Sequence, residues 1–118
     1  MKVPYRLLEG TGIIGIIEGT RPGKARALRA DMDGLPVKED TQNLRQEKAC
    51  VSGIEGVCHA CGHDAHMAVL LGTMRALMKL RERLEGTVYC CFEEGEETNL
   101  YDDYKMVIDV ICRYIDVM

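Results

Sequence analysis

Nine consecutive residues, Cys58-His59-Ala60-Cys61-Gly62-His63-Asp64-Ala65-His66, carry all three histidines of the chain, two of its six cysteines and an aspartate. Directly behind them Met67, Leu70, Leu71, Met74, Leu77 and Met78 recur at three- and four-residue spacings, the pattern of one apolar helix face. This spacing predicts a helix from Asp64 to near Leu84, ending before Gly86, with the polar cluster at its mouth. Around it, GIIGIIE at 12–18 and ARALRAD at 25–31 read as strands separated by the turn signal GTRPGK, and TVYCCF at 87–92 reads as a buried strand. Residues 34–56 lack strong periodicity and read as a long connection carrying at most short irregular elements. Met106, Val107, Val110, Ile111, Tyr114 and Ile115 predict a second amphipathic helix. The expected fold is α/β, with helices packed on a short mixed sheet of three strands. So small a core points to a piece of a larger domain.

A length of 118 residues leaves room for about one domain. With 47% apolar and 29% charged residues the chain is too apolar for an intrinsically disordered tail. Fifteen basic against nineteen acidic side chains give a formal charge of −4, which supplies no footprint for a phosphate backbone or an anionic membrane. No apolar run approaches the roughly 18–20 residues of a membrane span, and MKVPYRLLEG lacks the apolar stretch of a secretory signal. The expectation is a cytoplasmic chain without nucleic-acid or membrane partners. An oxidising compartment that favours disulfides is therefore not indicated, and an even cysteine count alone fixes no pairing. Cys90 and Cys91 are neighbours on a strand and point to opposite faces, so they read as packing. Nothing near Cys50 or Cys112 gives either a chemical role.

Thiolate sulfur and neutral imidazole are preferred ligands of zinc and similar borderline metals, so the 58–66 cluster reads first as a metal site. A helix N-terminus lowers a thiol pKa, which would make a metal-binding thiolate in this cluster easier to form. Two other readings stay open: satisfied polar side chains at a helix start, and a redox pair formed by Cys58 and Cys61. Covalent haem is excluded because Gly62, not histidine, follows the second cysteine. Phe92-Glu93-Glu94-Gly95-Glu96-Glu97 leaves the end of the third strand, where α/β folds place ligands, and reads either as a solvated charge run or as carboxylates serving a metal-dependent hydrolase. Asp31 and Asp33, two residues apart at another strand end, could bind a metal, orient its imidazole ligands, or sit in a solvated turn.

In this order the blocks ALRADMDGLPVKE (27–39), GVCHACGHDAHMAVLLG (56–72) and GTVYCCFEEGEE (86–97) resemble the metal-dependent amidohydrolases that include aminoacylase, hippurate hydrolase, N-acetyl-diaminopimelate deacetylase and the plant auxin-conjugate hydrolases. The HACGHDAHM string is the specific part, and the resemblance spans roughly residues 10–97. It implies a zinc-peptidase-like catalytic core of which residues 1–118 are an incomplete N-terminal part, without the family's lid and dimerisation domain. It implies Cys61, His63 and Glu97 as metal ligands and Glu96 as general base on metal-activated water. Asp31, Asp33, His59, Asp64 and His66 would take supporting positions. The implied cofactor is zinc or manganese, two ions in the full-length family, and the implied substrate is an N-acyl amino acid or short peptide, with homo-oligomerisation allowed. The chain departs from the family pattern in three places. Glu93 and Glu94 replace a glutamine and a proline, Cys58 replaces the commoner methionine, and no histidine follows His66, where the family supplies two more ligands.

Overall fold

In a computed structural model the protein is described at residues 1–8, 10–43 and 45–97. The helix expected over 106–115 lies outside the described residues. The elements are β1 (Tyr5–Leu7), β2 (Ile13–Glu18), β3 (Arg21–Asp31), β4 (Gln42–Asn43), β5 (Gln46–Glu47), α1 (His63–Lys79), a short 3-10 turn (Arg81–Arg83) and β6 (Glu85–Glu93). Four strands form a mixed sheet in the order β1-β2-β6-β3, while β4 and β5 form a separate two-residue ladder. The first two pairings of the four-stranded sheet are antiparallel and β6 runs parallel to β3. The long connection and α1 therefore form the crossover that parallel neighbours require.

Three expectations need correction. The sheet has four strands rather than three, because β1 adds itself to β2 through exposed side chains that carry no burial pattern. β3 begins at Arg21, inside the stretch read as a turn, and its register against β6 shifts between Arg21 and Ala25. Pro22 is tolerated there because β3 is an edge strand of this sheet, where a missing N–H breaks no ladder on the open side. Finally, α1 stops at Lys79 rather than near Leu84. Leu80 leaves helical geometry, and the next turn is fastened to the β2–β3 corner instead: Arg81 Nε donates to the Glu18 carbonyl at 2.7 Å and Arg21 Nη2 to the Arg83 carbonyl at 2.9 Å.

One face of the sheet packs on α1. Ile17, Ala30, Val88, Cys90 and Phe92 meet Leu70 and Met74 in a buried cluster, with Met67, Leu77 and Met78 packed at its margin. The period-2 alternation of β6 puts Val88, Cys90 and Phe92 on this face and Cys91 and Glu93 on the other, and both sets are buried. Burial pushes the Cys90 and Cys91 thiols up to about 11, so neither is a ready nucleophile. Gly86, at φ 77°, opens β6 where a Cβ would stand 2.1 Å from the Lys24 carbonyl oxygen, so only glycine lets the two strands close here. Among the described residues no helix is long and apolar enough to cross a membrane.

Candidate metal centre

The parallel register aligns Asp31 with Glu93, so β3 and β6 end together. The crossover helix runs back from that same edge, which brings its N-terminus over both strand ends. Three segments far apart in sequence thereby converge: Asp31 and Asp33 after β3, the 58–66 cluster, and the glutamates after β6. This is the position where open α/β sheets bind ligands.

Gly62 precedes α1 in left-handed geometry, φ 85°, which is costly for residues with a Cβ and lets the chain turn sharply between Cys61 and His63. One donor atom from each of Cys61, His63 and Glu97 lies within 4.8 Å of the others. His63 is almost fully buried, 2% exposed, whereas Cys61 is exposed. Its Nδ1 lies 3.0 Å from the Asp33 carbonyl oxygen, an atom that only accepts, so Nδ1 carries the ring proton of the neutral imidazole. That leaves the Nε2 lone pair directed to the glutamates, 3.7 Å from Glu96 Oε2 and 3.9 Å from Glu97 Oε1. This tautomer and outer partner are the ones metal-binding histidines use.

Asp33 organises the site. Its carbonyl also accepts from His59 Nδ1 at 3.2 Å, its Oδ2 accepts the Glu97 N–H at 2.9 Å, and its Oδ1 lies 2.9 Å from His63 Nδ1. Partial burial raises the Asp33 pKa, but the Glu97 N–H and the neighbouring His63 outweigh it and hold the carboxyl below its ordinary range. Burial likewise disfavours the imidazolium of His63, but the bond to the Asp33 carbonyl and the charges of Asp33 and Asp31 turn the balance and raise its pKa. Asp31 reaches the helix one turn on: His66 Nδ1 lies 3.1 Å from its Oδ2. Asp64 is exposed and accepts the Ala65 N–H at the helix start, a local role outside the donor group.

Arg29, to which sequence reasoning gave no role, and Glu93, read there within the 92–97 acidic run, complete the arrangement. Arg29 pairs with Asp31, Nη2 to Oδ1 at 2.5 Å, and through Nε with Glu93, which is 2% exposed. Glu93 is thus a buried partner of a guanidinium and not part of a solvated acidic run. The strand parity of β6 could have signalled it, because Glu93 stands two residues from the buried Cys91. Glu94 turns the other way and accepts from the N–H of Thr11 at 2.7 Å and from its hydroxyl.

The expectation of a thiol pKa lowered at the helix start is overturned at Cys61. The thiol hydrogen-bonds the Glu97 carboxylate, and with the nearby charges of Glu96 and Asp31 this pushes it up to about 11. Local negative charge outweighs the helix N-terminus. A redox pair would need its first thiol, Cys58, accessible for attack, yet Cys58 is buried, its backbone exchanging hydrogen bonds with Leu35 at 2.8 and 3.0 Å. A cation reverses this electrostatic penalty, since it favours the thiolate and neutralises the carboxylates around it. The donors suit one: thiol, imidazole and carboxylate are zinc-type ligands, and the buried Oδ1 atoms of Asp31 and Asp33 have no aligned hydrogen bond among the described residues.

Residues 27–115 match the family model described as peptidase family M20/M25/M40. The chain is 45% identical over 99 residues to thermostable carboxypeptidase 1 of Saccharolobus solfataricus, covering 84% of this chain and 24% of that protein. It is 39% identical over 108 residues to the N-acyl-L-amino acid amidohydrolase of Geobacillus stearothermophilus, covering 92% of this chain and 28% of that one. Among solved structures, a Bacillus subtilis dinuclear metal binding peptidase from the M20 family superposes with a TM-score of 0.79 at 33% identity, over 93% of this chain and 30% of that one. The chain spans about a quarter of the length of the curated relatives it matches.

Proposed function

The chain belongs to the peptidase family M20/M25/M40, and from that membership we propose that residues 1–118 are part of the catalytic domain of a metal-dependent hydrolase that cleaves the amide bond of N-acyl amino acids. The observation that carries the proposal is the convergence of Cys61, His63 and Glu97 donor atoms within 4.8 Å, with Glu96 beside them. Cys61, His63 and Glu97 would hold a divalent ion, zinc or manganese, and the dinuclear centre named for the Bacillus subtilis structure supports a second ion in full-length relatives. The substrate class follows the relative named N-acyl-L-amino acid amidohydrolase. A small-molecule substrate and a cytoplasmic setting go with that reading, and a homo-oligomer is compatible with it.

When bound, the ion would polarise the scissile carbonyl and make water acidic enough to be deprotonated near neutral pH. Glu96 is the carboxylate left over from the ligand set, and its side chain is one-third exposed, so solvent and substrate can reach it. It takes the proton from the attacking water and returns it to the departing amine, so one carboxylate serves as base and then as acid. Asp33 holds the His63 ring and the Glu97 backbone in place while this happens.

Deacylation is the direct test. Loaded with zinc or manganese, the chain is expected to release free amino acid from N-acetyl or N-benzoyl amino acids and to stop when a chelator removes the ion. Metal uptake with no turnover would contradict the proposal for this chain. Ion binding also carries a pH signature. With its pKa at about 11, Cys61 is a thiol at neutral pH and must lose a proton to ligate. Apparent affinity should therefore rise about tenfold per pH unit in calorimetric titrations, and more steeply below the raised pKa of His63, where a second proton is displaced. A flat profile would mean that Cys61 does not ligate.

A further inference from the structure

Resting on the reading of this edge as a metal centre, we infer that Arg29 is a positioning residue for it, whose charge holds the ends of β3 and β6 together against the repulsion of two buried carboxylates. The parallel register sets Asp31 directly opposite Glu93. Neighbouring strands lie about 4.8 Å apart, and like charges facing each other across them are destabilising. Here both members are also buried, Asp31 at 6% exposed and Glu93 at 2%, so water and salt screen little of the repulsion.

Arg29 reaches both carboxylates from one strand position. Its Nε donates to Glu93 Oε2, and its Nη2 stands 2.5 Å from Asp31 Oδ1. The second contact has no hydrogen-bond alignment, so charge rather than direction carries it. Glu93 stands where the resembled family pattern has glutamine, a neutral side chain that would leave no second carboxylate to offset. The demand on Arg29 is therefore a property of this chain's own residue at 93.

The two strand ends carry the site. Asp33 follows Asp31 by two residues, and Glu96 and Glu97 follow Glu93 by three and four. Between the segments runs the bond from the Glu97 N–H to Asp33 Oδ2 at 2.9 Å, and Asp33 in turn holds the His63 ring. Asp31 Oδ2 faces His66 Nδ1 at 3.1 Å, which ties the first turn of α1 to the same cluster. Splayed strand ends would carry Glu97 away from Cys61 and His63. Arg29 thus acts on the donor group through Asp31 and Glu93, without being a ligand.

The test is Zn(II) affinity of the whole 118-residue chain by calorimetry, together with the thiolate charge-transfer absorption of bound Co(II). Arg29→Met, which keeps the stem and removes the charge, should weaken Zn(II) about 10–100-fold and weaken or shift the Co(II) band. Glu93→Gln alone should leave affinity within about threefold, and combined with Arg29→Met it should recover about tenfold of the loss, because it removes the repulsion that Arg29 offsets. A purely packing role of the Arg29 stem predicts no such rescue. Zinc affinity in Arg29→Met equal to the wild type, or a double variant no better than Arg29→Met, would overturn the inference and leave the metal centre standing. Should Arg29→Met lose its folded circular dichroism spectrum, the double variant decides: a restored spectrum supports the inference and continued loss overturns it. A wild-type chain that takes up no zinc overturns both readings.

Discussion

Replacing Glu96 with glutamine is expected to cut amide hydrolysis by about 10²–10⁴-fold, the usual worth of a positioned general base, while leaving KM and metal affinity nearly unchanged. Glutamine keeps the shape of the side chain and loses only the capacity to take a proton. Glu96 stands 3.7 Å from His63 Nε2, inside the site, yet it is not one of the three converging donors, and it is more exposed than Glu97. Its neighbour Glu97 has its backbone N–H tied to Asp33, which suits a fixed ligand, whereas a proton shuttle needs reach. Release of amino acid from N-acetyl and N-benzoyl substrates, measured beside metal uptake, separates the two roles. An equal fall in metal affinity would make Glu96 a ligand, and unchanged turnover would remove it from the chemistry.

The largest effect on metal binding is expected from His63→Ala. His63 belongs to the Cys61–His63–Glu97 donor group, and its ring is held rigid by burial and by the Asp33 carbonyl. Losing an outer partner of a ligand costs about 10–100-fold in affinity, so losing a proposed ligand itself should cost more than about 100-fold for Zn(II) and Mn(II) alike. Isothermal titration with both ions checks this, with circular dichroism confirming that the helix survives. Affinity within about tenfold of the wild type for either ion would show that His63 is not a ligand.

The parts of this architecture legible in the sequence are those that local patterns carry. The β-branched run gave away β2, the alternation of TVYCCF gave β6, and the three- and four-residue spacing gave the start and face of α1. What escaped depends on contacts between distant segments. The end of α1 was hidden because Leu80 and Leu84 continue the apolar series, while the chain is turned aside there by bonds from Arg21 and Arg81 that link it to the β2–β3 corner. β1 escaped because three exposed residues owe their strand geometry to pairing with β2 alone. The residue types of the site were readable from 58–66, 31–33 and 93–97, because donor chemistry depends on side-chain identity. Their electrostatics were not. The rise of the Cys61 pKa comes from Glu97, thirty-six positions away in sequence, and the burial of Glu93 against Arg29 follows from the parallel register of β3 and β6.

Cobalt titration tests the central claim most directly, since thiolate ligation of Co(II) produces a ligand-to-metal charge-transfer absorption that imidazole and carboxylate do not. The wild-type chain is expected to bind Co(II) with that absorption, and Cys61→Ser to lose it. Cobalt bound by the wild-type chain without a thiolate band, or a band that persists in Cys61→Ser, would contradict a centre built on Cys61, His63 and Glu97.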